Sequence, residues 1–122
     1  MKIEKHSFGT LTIGDHFIIG EVNEDTDIQL DDVSKIIDVA NKYFKGDKWG
    51  YISNRINSYS LQPLVHHDAP KFEKNMLAFA VVSNNKKIDN YTEVERIMVD
   101  DSYAFSSFSD LDEAIIWIRS FL

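Results

Sequence analysis

The chain has 122 residues, 43% hydrophobic and 27% charged, with 5 Gly and 2 Pro, a balance that suits a single globular domain (residues 1–122) and excludes a disordered or low-complexity chain. It contains no Cys, so disulfides and thiolate metal sites are excluded, and a reducing compartment is compatible. The net charge of −7 repels phosphate backbones and anionic lipid headgroups, which argues against nucleic acid or a membrane surface as the main partner.

The excess acid is confined to one segment. Between His6 and Ser34 stand Asp15, Glu21, Glu24, Asp25, Asp27, Asp31 and Asp32 with no Lys or Arg, and the remaining acids and bases balance. Runs of like charge are usually solvated surface. The opening MKIEKHSFG has no apolar signal core, and the longest apolar run, Met76 to Val82, falls well short of the roughly 18 residues that span a bilayer. A cytoplasmic protein without a membrane span is the expectation.

In chain order, Ile3 to Phe8 and Leu11 to Ile13 read as extended, and Gly14-Asp15 separates that run from His16 to Val22. A Gly-Asp pair between two apolar runs predicts an antiparallel hairpin, with the Gly supplying a positive φ. Val33, Ile36, Ile37, Ala40 and Phe44 then recur at helical spacing, with Gly46 placed to end the helix. Asp31 and Asp32 at its start, and Lys42 and Lys45 at its end, complement the helix dipole. Trp49 to Ser53 reads as a strand from its aromatic and β-branched content.

Leu61 to Lys74 contains Pro63 and Pro70, which predicts a short or broken helix resuming at Asp68 or Ala69. The unbroken apolar run Met76 to Val82 predicts a central strand, buried on both faces. Ile88, Tyr91, Val94 and Met98 suggest a helix over 84–98, and Tyr103 to Phe105 a brief strand. Ser109 with Asp112 predicts the cap of a last helix, whose stripe is Leu111, Ala114, Ile115, Ile118, Phe121 and Leu122. Two antiparallel strands followed by alternating helices and strands predict an α/β fold: one mixed sheet of about five strands, an antiparallel hairpin at its start and crossover helices.

The ending YAFSSFSDLDEAIIWIRSFL, with the apolar strand MLAFAVVS and the element order, resembles the SpoIIAA-like STAS family. These are the bacterial anti-sigma-factor antagonists and their relatives, which share a superfamily with lipid-transfer proteins. Phe108, Glu113, Ala114, Trp117 and Ile118 match the family pattern F-x-x-x-x-[DE]-A-x-x-W-[LI]. Those are core and cap positions, so the resemblance implies a STAS architecture first and a regulatory role second. The family's regulatory members carry a phosphorylated Asp-Ser-Ser/Thr-Gly motif before the second helix. The matching place here is Asn57-Ser58-Tyr59-Ser60, which implies phosphorylation at Ser58 or Ser60 but lacks the preceding Asp and the following Gly.

The same stretch is a candidate site on physical grounds, because α/β domains place function at the carboxyl ends of parallel strands. Asn54, Arg55, Asn57, Ser58, Tyr59 and Ser60 form an interaction or ligand loop after the Trp49 strand. In it an exposed Arg55 could fork onto a carboxylate or phosphate while its neighbours add neutral hydrogen bonds. A polar loop that merely satisfies its own turn has the same composition.

Metal binding is not expected. Adjacent helical residues such as His66 and His67 point about 100° apart. The calcium-like Asn23, Asp25 and Asp27 are followed by Ile28 and Ser34, where a calcium loop requires Gly and Glu. No cofactor motif is present, nor a Gly-x-Ser-x-Gly elbow or His-Glu-x-x-His. Tyr43, Phe44, Trp49, Tyr51, Tyr59, Phe72 and Phe79 could line an apolar cleft or pack as ordinary core.

The leading expectation is therefore a non-enzymatic regulatory or protein-interaction module of STAS type. The alternative is a carrier or sensor of a small apolar, lipid-like ligand, and an enzyme ranks below both.

Overall fold

The computed structural model describes residues 1–55, 60–61, 75–83 and 103–122. The helices expected over 61–74 and 84–98 lie outside these residues, except for Leu61, which is in a strand and not a helix. Eight strands occur among those described: β1 (Lys2–His6), β2 (Gly9–Ile13), β3 (Phe17–Val22), β4 (Asp27–Ile28), β5 (Trp49–Asn54), β6 (Ser60–Leu61), β7 (Met76–Val82) and β8 (Ala104–Phe108). Two helices accompany them, α1 (Leu30–Phe44) and α2 (Leu111–Arg119). Six strands form one mixed sheet in the order β1-β2-β3-β5-β7-β8, and β4 pairs with β6 in a separate parallel ladder of two residues.

The class is α/β, as expected, but the sheet has six strands and the chain opens with three antiparallel strands instead of two. The run expected to be continuous from Ile3 to Ile13 turns back at Ser7-Phe8, so that His6 faces Gly9. Phe8 keeps the apolar pattern going through this turn, which hides the break in the sequence. Its ring is buried, and His6 stacks on it at 5.4 Å.

The hairpin at Gly14-Asp15 is antiparallel as expected, with Ile13 opposite Ile18 and Gly14 N–H donating to Phe17 O at 2.8 Å. The positive φ, however, belongs to His16 (64°) and not to Gly14. Gly14 is required for space, because a Cβ there would collide with the end of the Phe17 ring, 2.7 Å from its Cε1 and closer still to Cζ.

From β3 onward the pairings are parallel. Strand β7 is interior, hydrogen-bonded to β5 on one side and β8 on the other. Ala78, Ala80, Val81 and Val82 are buried, whereas Met76, Leu77 and Phe79 are half-buried, so the strand is less enclosed than its unbroken apolar run suggests.

Alternation along each strand divides the sheet into two faces. One carries Leu11, Ile13, Ile18, Val22, Trp49 and Tyr51 against Ile36, Val39, Ala40 and Phe44 of α1. The other carries Phe17, Ile19, Ile52, Ala78, Ala80 and Val82 against Ala114 and Ile118 of α2. Helix α1 ends with Lys45 in the left-handed region (φ 52°), followed by Gly46 at φ 88°.

Helix α2 is capped one residue later than expected, by Asp110 and not Ser109, with Asp112 N–H donating to Asp110 Oδ1 at 3.3 Å. Its stripe is also shorter. After Arg119, three successive bonds from residue i to i−3 tighten the chain out of the α path, leaving Phe121 and Leu122 exposed.

Edge strand β1 is tied to α1 through polar groups. Glu4 accepts from Lys42 Nζ at 3.1 Å and lies 3.1 Å from His6 Nε2. Hydrogen bonds from Tyr43 and then Lys42 hold the Glu4 carboxyl below its ordinary 4.5. The carboxylate correspondingly raises Tyr43 above its ordinary 10.0.

Two outcomes are expected. Gly50 lies directly under Ile118, whose Cγ2 would be 2.8 Å from an added Cβ. Gly50→Ala should therefore lower unfolding stability in urea by about 1–3 kcal/mol, the scale of overpacking a core. A depressed carboxyl pKa contributes stability that is present above the unfolded value and lost as pH falls through the folded one. The stability difference between wild type and Glu4→Gln should accordingly be constant near neutrality and shrink as pH falls below 4.5. Urea titrations across that range measure it.

Candidate functional site

Because β3, β5, β7 and β8 run parallel, their carboxyl ends share one rim. Ser53 pairs with Gly20 on one side and Val81 on the other, and Val81 pairs with Ser107. The ladder continues one step beyond the strands, as Arg55 N–H donates to Val82 O and Ser83 N–H to Phe108 O, each at 2.9 Å. Strand alternation then places Ser53, Arg55, Ser83 and Ser107 on the same face.

Arg55 does not project from an exposed loop as expected. It is 6% exposed, and its Nε donates to Ser53 Oγ at 3.1 Å. Ser53 and Ser83 are buried with it. The reason is the extra ladder step, which holds residue 55 in strand register and turns its side chain over the sheet end. A buried guanidinium is tolerated only where its donors are met, and no buried polar side-chain atom among the described residues lacks a hydrogen-bond partner.

Asn54 points to the opposite face, where its Nδ2 donates to Glu21 Oε2 at 3.0 Å. Asn57, Ser58 and Tyr59 lie outside the described residues. The backbone of Ser60 pairs with that of Asp27, so the end of the predicted loop is joined to the acidic segment. Glu24, Asp25 and Asp27 of that segment are exposed.

Asn23, read as a calcium-like position, is engaged elsewhere: its Nδ2 donates to Ser7 O at 3.2 Å and its N–H to Phe8 O at 2.8 Å. No group of three or more His, Asp or Glu converges on a metal-sized point among the described residues, and His66, His67 and Asp68 lie outside them. No described helix is long and apolar enough to cross a membrane.

The aromatic residues proposed as a cleft pack on one another. Phe44 lies 6.2 Å from Trp49, and Tyr51 lies 5.3 Å from Phe79, which stacks on Phe105 at 5.5 Å. Tyr43 is half-buried beside Glu4, and Tyr59 and Phe72 are outside the described residues.

Sequence reasoning missed Glu21, Ser53 and Ser83 as rim groups. Counting by twos to the end of each buried strand and one step past it would have found the two serines, since Ser53 ends one apolar run and Ser83 directly follows another; Glu21 sits within β3 and carries no such signal.

The rim thus carries a half-buried amide–carboxylate pair on one face of the sheet and buried hydroxyls with a guanidinium on the other, an arrangement suited to hydrogen-bonded recognition. Its exposed charge is negative. Removing Arg55 strips a buried donor from Ser53, so Arg55→Ala should lower stability by about 1–3 kcal/mol, beyond the roughly 0.5 kcal/mol of an exposed substitution. Urea unfolding of the variant gives the value. Comparison with known proteins identifies no relative: no family model, no curated protein and no solved structure matches this chain.

Proposed function

We propose that the chain is a regulatory protein-interaction module of STAS type, without catalysis of its own, whose contact surface is the rim at the carboxyl ends of β3 and β5. The observation that carries this reading is the pairing of Asp27 with Ser60. It brings the end of the polar loop beginning at Asn54 beside the exposed acids Glu24, Asp25 and Asp27, which form a negatively charged surface. Such a surface complements a basic patch on another protein and repels nucleic acid.

The resemblance of the last strand and helix to the anti-sigma-factor antagonists supports the same reading, with Ser58 and Ser60 as the positions at which phosphorylation would add charge to this surface. The mutual packing of Tyr51, Phe79 and Phe105 favours interaction over carriage of an apolar ligand, because those rings occupy the volume that such a ligand would take.

Glu24→Lys combined with Asp25→Asn should weaken partner binding roughly tenfold and flatten its salt dependence, while changing stability by no more than about 0.5 kcal/mol. Affinity capture by wild type and variant at two ionic strengths, followed by titration of the recovered partner, measures this. An unchanged partner affinity would overturn the reading. A lipid retained by the purified chain in native mass spectrometry would replace it with the carrier.

A further inference from the structure

At the opposite end of the sheet, the β2–β3 turn, the last turn of α1 and the end of α2 enclose an open groove of about 800 Å³. Small-molecule sites usually occupy roughly 300–1,000 Å³. Its aromatic side is built from His16, stacked on Phe44 at 5.8 Å, with Tyr43 beside them. Phe17 forms part of the lining, and the Arg119 guanidinium lies 5.6 Å from its ring centroid.

The charge of this groove runs against that of the chain. Lys2, Lys45 and Arg119 converge on it, against Asp15 and Asp47. In a protein of net charge −7, none of the three cations forms an ion pair with a carboxylate among the described residues, where the pairs are His6–Glu4, His16–Asp15 and Lys42–Glu4. Lys2 Nζ lies instead 5.8 Å from the Tyr43 ring centroid.

His16 closes the β2–β3 turn and Lys45 ends α1, both in the left-handed conformation (φ 64° and 52°), so the two turns that carry these groove residues are conformationally fixed. A flat ring matches the partly exposed imidazole of His16, which rests on the buried Phe44, and a carboxylate matches the three cations, with Arg offering a fork of donors and Lys a point charge.

We propose that this groove binds a small aromatic carboxylate. The site is independent of the rim at the far end of the sheet, so either assignment can fail without the other.

The probe is 2-naphthoate, titrated into the 122-residue chain and followed by amide resonances. Saturable shifts are expected at residues 14–17 and 43–47, with those at 53–55 unmoved. Lys45→Gln and Arg119→Gln should each weaken binding roughly tenfold, the scale of one charge-assisted hydrogen bond. Two ligand controls separate the contributions: 2-naphthylmethylammonium carries the same ring with the opposite charge, and inorganic phosphate carries charge without a ring. Both should bind at least about tenfold more weakly.

Lys45 and Arg119 also lie at helix carboxyl ends, where a cation offsets the dipole. If that is their only role, the variants will lower the melting temperature and leave naphthoate affinity unchanged, which overturns the proposal. Equal binding of the cationic analogue, shifts centred on the far rim, or no saturable shift up to about 10 mM would overturn it as well.

Discussion

Ile118 of α2 rests on Gly50 of β5, and this contact sets the spacing of that side of the molecule. The residues beside it, Ala78, Ala80 and Ala114, are small and fully buried. They let the helix backbone approach the sheet closely enough for a single Ile to fill the gap, with no room left for an added methyl group. The opposite face of the same strands is built from large rings, Trp49, Tyr51 and Phe79, against the aliphatic and aromatic stripe of α1. One face is therefore thin and the other thick. Tyr51 illustrates the matching across neighbouring strands, since its ring and hydroxyl lie where a side chain at residue 20 would stand, and Gly20 leaves that space open.

This asymmetry decides where polar groups can collect. With both faces of β5 covered, residues that need hydrogen-bonding partners are displaced to the two ends of the strands. At the carboxyl end, the odd-numbered positions that carry Trp49 and Tyr51 in the core continue as Ser53 and Arg55, so the guanidinium is drawn inward over the sheet. At the amino end, the turn carrying His16 meets the last turn of α1, with His16 O accepting from Gly50 N–H at 3.0 Å. The two ends differ in sign as a result. Glu21, Glu24, Asp25 and Asp27 border or adjoin the first, whereas Lys2, Lys45 and Arg119 line the second.

The edge strand follows a different logic. Strand β1 presents Lys2, Glu4, Lys5 and His6 on five residues, a charge density that discourages pairing with a further strand. Beyond its antiparallel ladder with β2, it is tied to α1 by the Glu4, Lys42 and Tyr43 hydrogen bonds rather than by apolar burial. That contact to the helix depends on protonation, unlike the apolar packing of the interior strands.

By itself the sequence determined the α/β class, the position of α1, the strands at Trp49 and Met76, the final strand and helix, and the antiparallel turn at Gly14-Asp15. Those features are written in local periodicity and turn chemistry, which act over a few residues. Three other features were decided only by tertiary structure. Phe8 could belong to a strand or a turn by pattern alone, and its burial against the α1 side of the sheet settled it as a turn. Arg55 reads as exposed from its polar neighbours, but one further ladder bond to Val82 placed it in strand register and buried it. The pairing of Asp27 with Ser60, and the lining of one groove by Lys2, Lys45 and Arg119, joins residues separated by 33 to 117 positions. No local pattern carries information over that distance, because the sheet order that brings such residues together is set by how the whole chain packs.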